Sequence, residues 1–458
     1  MSSLALKLMS RRDTVAFCCI LFFLLAIYSL WLIALWPGIL GEDSLAILLE
    51  VDQAGQFFSG KPAFWFFFVN TFYGATGRVE LPIAIQLALA ALVCARILAW
   101  CWMQRLYKTF VFLTFFTALS PRMLFASGSL YPDGPFAIAT AAVLFELWLT
   151  LKRNRLSSAS FSMLAIAMPF ALFARANGIV MLIPLIYTLF RLRGRDRLKL
   201  GSIALAWCSL VTAGSVIHRS PAQHGALFPM VAYETVNFLQ PRPMNLWTER
   251  PRISPRTMEI INRHTTVDAL LRYYDRDYWD PLYHKPNGPR LGAMSDADKK
   301  GLIKEFFRYN LWENIPAFMG SRVNIFLVSA LGRGGEVSIN YSFHVLPQTQ
   351  SNSVYRAMNT PKLTRWIGDL NNFSYRHRAL LWTPFIGIFI LFLFSRRAWL
   401  LRSTPDLSLA APMLIQLTAI FLLSIAGEYR YLLPFFILPL AILPIFASGS
   451  TNIDLISK

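Results

Sequence analysis

Long apolar runs recur along this chain, separated by short polar segments. A membrane-spanning helix needs roughly 20 consecutive apolar residues. Lipid offers no hydrogen-bond partner to an open backbone, so runs of that length fold as helices. The first run, 14–36, ends at Pro37-Gly38. Gly41-Glu42-Asp43-Ser44 follows, then a short amphipathic stretch to Ser59. Lys61-Pro62 opens an aromatic run, 64–68, which is short for a span and reads as interfacial or re-entrant. Runs 81–103, 110–125 and 135–151 are the second to fourth spans, with Ser129-Leu130-Tyr131-Pro132-Asp133-Gly134 between the last two. Runs 161–173 and 179–190 form the next pair, joined by Arg175-Ala176-Asn177-Gly178, and 203–217 is the seventh. After a long polar segment come 380–394, 407–426 and 432–446, the last two joined by Gly427-Glu428-Tyr429-Arg430-Tyr431.

The pattern predicts an all-α polytopic membrane protein of about ten transmembrane helices with a small mixed extracytoplasmic domain. Three parts follow: an N-terminal transmembrane module with catalytic outer loops, 1–217; an extracytoplasmic domain, 218–378; and a C-terminal transmembrane module, 379–458. The middle part is rich in Pro, Tyr, Trp and Arg and is long enough for a small domain. Within it, 315–331 is moderately apolar but interrupted by Arg322 and Asn324, and reads as an interfacial helix. If it spans instead, the later topology inverts.

Cation placement orients these spans. Lys7, Arg11 and Arg12 precede the first run, which is too long for a signal-peptide core and lacks a small-residue cleavage site. It reads as an uncleaved span with a cytoplasmic N-terminus. Arg105 and Lys108, then Lys152, Arg153 and Arg155, then Arg191 to Lys199, and finally Arg396, Arg397 and Arg402 mark the cytoplasmic loops, and the short tail follows them inside. The acidic and mixed-charge motifs fall on the other side, so the chemistry is expected outside.

Composition agrees with this frame. Charged residues make up 15% of the 458, against about a quarter in a typical soluble chain. The net charge of +19 would suggest nucleic acid elsewhere. Here many cations sit in short loops between apolar runs, where they set orientation and meet anionic lipid, so a nucleic-acid partner is not expected. The five cysteines, Cys18, Cys19, Cys94, Cys101 and Cys208, lie in or beside apolar runs and read as small buried hydrophobes, not disulfides.

Several residues qualify for chemistry, each with a plainer alternative. Glu42 and Asp43 stand just past a span, where a carboxylate facing a cavity can take a proton from a hydroxyl; Asp43 or Ser44 can equally cap the helix that follows. Asp133 begins the fourth span, where the helix dipole favours an acid as a cap. Arg175 stands between two short spans, and Arg430 between two apolar runs with almost no loop. A guanidinium fork suits the phosphate of a lipid headgroup. Snorkelling accounts equally for Arg175, and neutralisation by Glu428 for Arg430. Arg96 and Glu146, at matching depths inside spans, predict a structural ion pair. Asp275, Asp277 and Asp280 among aromatics read as a small core with surface carboxylates ahead of a sugar or cation site. His218 and His224, and separately His264 and His284, lack metal-ligand spacing. No phosphate-binding glycine loop or nucleophile elbow is present.

Taken together, Gly-Glu-Asp-Ser, Tyr-Pro-Asp-Gly, Arg-Ala-Asn-Gly and Glu-Tyr-Arg-Tyr-Leu-Leu-Pro resemble the GT-C superfamily of membrane glycosyltransferases, in particular bacterial members that use polyprenyl-phosphate sugars. The resemblance covers the hydrophobic frame and touches 218–378 only weakly. It implies an inverting transfer from a polyprenyl-phosphate carrier to a cell-envelope acceptor, glycan, lipid or protein, on the outer face of the bacterial cytoplasmic membrane. It implies Asp43 as the base, with Glu42 as its substitute, Asp133 as the second acid, and Arg175 and Arg430 on the lipid phosphate with Tyr429 or Tyr431 nearby. Relatives often show His-Pro where this chain has Lys61-Pro62; lysine binds phosphate as a point charge. A divalent cation is compatible with these acids, and no cofactor is called for. The alternatives are a lipid-linked glycan polymerase or ligase, a lipid or glycan flippase, and a non-catalytic assembly subunit. A flippase would want polar residues and broken helices near mid-membrane, whereas these motifs gather at one face.

Overall fold

The computed structural model describes residues 3–53, 55–218, 227–241, 253–334, 338–355 and 361–451. The tail from 452 and His224 lie outside them. Among the described residues the chain is helical, with no strand beyond an isolated parallel bridge between Ile39 and Ser129. Seven helices among the described residues are long and apolar enough to cross a membrane, and an eighth crossing is available from a bent pair.

Two compact units form. The first contains 1–220, 337–416 and 433–458, and the second contains 221–336 and 417–432. The segment expected as one outer domain, 218–378, is therefore divided between them.

The first unit opens with α1 (Ser3–Ala34), α2 (Glu42–Asp52) and α3 (Ala63–Val69). It continues with α4 (Glu80–Met103), α5 (Tyr107–Leu119), α6 (Pro121–Gly128) and α7 (Asp133–Arg153). Then come α8 (Ser158–Phe173), α9 (Leu182–Arg191) and α10 (Gly194–Ile217). The centre is α7, whose most apolar stretch is 94% buried, against 17% for α1 and 11% for α10. The reason is compositional: Ala137, Ala139, Ala141 and Ala142 let neighbouring helices approach closely. In contrast, α1 turns Phe22 and Phe23 outward and α10 turns out Leu205 and Leu210, as lipid-facing helices do. The expected pair of charges within the spans is present: Arg96 Nε lies 2.8 Å from Glu146 Oε1, between α4 and α7. Cys94 and Cys101 are buried as expected, whereas Cys19 is exposed.

The third span departs from a straight helix. It breaks at Ser120-Pro121, and α5 and α6 meet at 56°. Proline cannot continue the ladder of α5 but fits the first turn of α6, where Ser120 caps the amide of Met123. Loops on the cation-rich edge are tied as well. Leu156 N donates to Asp196 Oδ2 at 3.0 Å, and the Tyr187 hydroxyl bonds Thr404 Oγ1 at 2.8 Å.

Among its described residues the second unit is helical, not mixed as expected. Ser254, Thr266 and Ser295 each accept a hydrogen bond from the amide three residues on, and each starts a short helix. Polar segments broken at such caps read as loop in sequence yet fold as short helices. Its core gathers Phe228, Tyr233, Phe238, Ile261, Phe306 and Phe318. Helix Leu227–Leu239 (α11) and helix Ile315–Ala330 hold a fully buried ion pair, Glu234 with Arg322. Ser321 and Asn237 donate to Glu234, and Arg322 also reaches Ser424 O. Burial pushes the Glu234 carboxyl above its ordinary value, and Arg322 and these donors pull it back. Along helix Ile315–Ala330, Ile315, Met319, Val323 and Leu327 form an exposed apolar stripe at four-residue spacing. Tyr274 stacks on Tyr233 and Trp279 packs on Tyr283, so the aromatics around Asp275, Asp277 and Asp280 are partly buried and pack against this core.

Candidate active site at the acid-bearing edge

Where the first span ends, the backbone crosses to the loop before α7. Ile39 N donates to Gly128 O at 3.1 Å and Leu130 N donates to Ile39 O at 3.0 Å. Ser44 Oγ donates to Leu130 O at 3.0 Å and accepts from Gly41 N at 3.1 Å. The Gly-Glu-Asp-Ser and Tyr-Pro-Asp-Gly motifs are thereby stitched into one edge. A third strand of chain joins them: Leu40 N donates to Ser342 Oγ at 3.1 Å, and that hydroxyl donates to Gly38 O at 2.6 Å.

Local sequence accounts for the helix starts. Gly41 is the N-cap of α2, and Glu42 and Asp43 fill its first turn, where the helix dipole favours acids. Neither Asp43 nor Ser44 is the cap; Ser44 reaches back to Gly41 N instead. Asp133 is the first residue of α7 and makes no side-chain cap bond. Gly134 is required because a Cβ there would stand 1.9 Å from Ala126 O, so α6 and α7 touch backbone to backbone. Gly178 answers the same need, with Ala171 O at 2.5 Å from its would-be Cβ. Gly134→Ala is expected to cost about 1–3 kcal/mol or more through overpacking. A fall in the unfolding midpoint of detergent-solubilised protein measures it, and an unchanged midpoint would contradict this packing.

Each acid of the edge has a distinct partner. Asp43 Oδ2 lies 2.6 Å from Lys61 Nζ, and both side chains remain about one-fifth exposed. Asp133 pairs with Arg175, reached from the end of α8. Asp133 is buried, and its Oδ2 has no hydrogen-bond partner among the described residues. Glu42 does not join these pairs; it accepts from the Tyr341 hydroxyl. That hydrogen bond, chiefly, holds the Tyr341 phenol above its ordinary value.

Three residues were not singled out for this edge by sequence reasoning. Glu50, on the buried side of α2, accepts from Ser59 N at 3.0 Å and lies 2.8 Å from His218 Nε2. His218 also stacks on Phe66, ring centroids 3.8 Å apart. Its partners sit more than 150 residues away, so no spacing rule finds it. Tyr341 is hidden for the same reason, its partner being 299 residues distant.

The Glu-Tyr-Arg-Tyr motif lies in the second unit. Glu428 neutralises Arg430, whose guanidinium carbon lies 5.6 Å from the Tyr431 ring. Tyr429 is buried and its amide donates to Gly334 O at 3.2 Å. Elsewhere in this unit His264 lies 2.8 Å from Asp298 Oδ2.

Among the described residues no three His, Cys, Asp or Glu side chains converge on one point, and Asp43 and Asp133 each face a basic side chain instead. No family model matches the chain, and no curated protein or solved structure matches it either.

Proposed function

We propose that this protein is an inverting glycosyltransferase that moves a sugar from a polyprenyl-phosphate carrier to a cell-envelope acceptor. The supporting observation is the edge itself. Two acids from motifs 90 residues apart, Asp43 and Asp133, stand at helix starts whose preceding segments are hydrogen-bonded to each other, each beside a cation able to hold phosphate. The orphaned, buried Oδ2 of Asp133 adds to it, since buried polar atoms ordinarily have partners.

In the proposed reaction the donor phosphate draws Lys61 and Arg175. Asp43 takes the proton of the acceptor hydroxyl, whose oxygen attacks the anomeric carbon from the face opposite the phosphate. The carbon–oxygen bond to phosphate breaks, and its electron pair leaves with the lipid phosphate. Asp133 orients Arg175, and Glu42 with Tyr341 braces the start of α2. Lipid phosphate is already a competent leaving group, so charge stabilisation and orientation account for the catalysis asked of the protein. For Arg430, with Tyr429 and Tyr431, a phosphate role rests on the sequence pattern.

The proposed topology has ten spans. Seven long helices and the bent α5–α6 pair supply eight, and the short apolar helices Ser158–Phe173 and Ala176–Arg191 supply two. The basic loops then face the cytoplasm and the acid-bearing edge faces outward from a bacterial cytoplasmic membrane. The apolar stripe of helix Ile315–Ala330 supports an interfacial placement for that helix.

The test is transfer of a labelled sugar from polyprenyl phosphate by the purified protein in lipid. Lys61→Ala is expected to raise KM for the donor about ten- to a hundredfold, the worth of one hydrogen bond to a charged group. Absence of transfer from every polyprenyl-phosphate sugar, with nucleotide sugars accepted instead, would overturn the proposal.

A further inference from the structure

A cavity of about 150 Å³ is lined by Trp36, Arg78, Glu80, Asn352, Ser353 and Val354. The transfer chemistry above uses none of these residues. Its wall comes from three distant parts of the chain: the end of the first span, the start of α4, and the segment that follows Ser342. Hydrogen bonds hold those parts in register. Asn352 N donates to Gly77 O at 2.8 Å and Val79 N donates to Ser353 Oγ at 2.9 Å. Ser351 Oγ donates to Gly77 O at 3.0 Å, and Ser353 Oγ donates to Glu80. Gln350 N donates to Asp52 Oδ2 at 2.8 Å, tying the same segment to the end of α2. Trp36 stands two residues before Gly38, where Ser342 anchors the edge.

The lining narrows the ligand class. It offers one indole, one guanidinium, one carboxylate, one amide and one hydroxyl. Glu80 disfavours an anionic ligand, and the four polar walls disfavour a purely apolar one. Small-molecule sites for drug-sized ligands start at about 300 Å³, so this cavity suits a ligand of one ring. A pyranose meets every term: its C–H face lies on an indole, and its neighbouring hydroxyls both donate to a carboxylate and accept from guanidinium and amide N–H groups. Arg78 is about two-thirds exposed and 3.9 Å from Glu80.

We propose that this cavity binds a single pyranose ring through its hydroxyls. The assignment deepens the sugar-transfer reading and rests on it for the source of the ring, either the donor's sugar or the terminal sugar of the acceptor.

The experiment is saturation-transfer NMR on the full chain in lipid nanodiscs, with a panel of methyl pyranosides and the matching pyranosyl 1-phosphates. At least one probe is expected to bind saturably. Arg78→Ala, at an exposed position that does not threaten the fold, and Trp36→Ala are each expected to weaken it about tenfold, as loss of one hydrogen bond or stacking contact would. Tighter binding of the methyl glycoside identifies the acceptor's ring. Tighter binding of the 1-phosphate, weakened by Lys61→Ala, identifies the donor's. No saturable binding anywhere in the panel, or binding unchanged in both cavity variants, overturns the assignment. Binding is read without turnover and is expected to persist in Asp43→Asn. A failed transfer assay therefore leaves this result standing, and the converse holds too.

Discussion

Asp43→Asn is expected to lower sugar transfer by about 10²- to 10⁴-fold, the usual contribution of a general base. The amide keeps the shape of the carboxylate but cannot take the acceptor's proton. KM for the donor is expected to change little, because Lys61 and Arg175 remain. Folded protein is expected at normal levels, since Asp43 and Lys61 are both partly exposed and their ion pair contributes about 1 kcal/mol or less. The measurement is single-turnover transfer of labelled sugar in wild type and variant. Full activity in Asp43→Asn removes the base assignment. Glu42→Gln then becomes the decisive variant, as Glu42 is the neighbouring carboxylate on the same helix turn.

Arg322→Ala is expected to destabilise the second unit by about 3–5 kcal/mol, because it leaves Glu234 buried without its cation. The loss has a pH signature. In the native protein burial already lifts the Glu234 carboxyl above its ordinary value of 4.5, and Arg322 is the largest influence opposing that rise. Without Arg322 the folded-state value moves further up. The folded form then binds a proton that the unfolded form has released, so stability falls as pH rises above the ordinary carboxylate range. The variant is expected to be least impaired at acid pH and progressively worse toward neutrality. Unfolding midpoints across pH 4 to 8 test this, as about a 4-unit scan brackets the shift. A loss independent of pH would mean that Glu234 is not the group left stranded. Replacing both partners with apolar residues of similar volume is expected to recover most of the loss.

Much of the frame is legible from hydropathy alone, because lipid forces apolar runs into helices. The break at Ser120-Pro121 is written in the residues too, as a cap followed by proline, although an apolar count passes over it. The short helices of the second unit carry readable caps at Ser254, Thr266 and Ser295 but no apolar periodicity long enough to announce them. The acids of the edge stand out because carboxylates beside spans are rare. Their partners are another matter. Lys61 is 18 residues from Asp43, Arg175 is 42 from Asp133, and Tyr341 is 299 from Glu42. Local pattern carries no information about such pairs. The glycines of Tyr-Pro-Asp-Gly and Arg-Ala-Asn-Gly have a packing cause, since Gly134 and Gly178 meet carbonyl oxygens of α6 and α8. Part of what makes these motifs recognisable is therefore steric and not chemical.

The Ser342 hydroxyl binds Gly38 O and Leu40 N across more than 300 residues. During synthesis, the acids of the first loops emerge and insert long before this serine leaves the ribosome. A nascent chain stopped short of 338 would carry Asp43 and Asp133 without the clasp on Gly38 and Leu40. Assembly of the edge is thus a late event in biogenesis, and an incomplete chain lacks the finished edge.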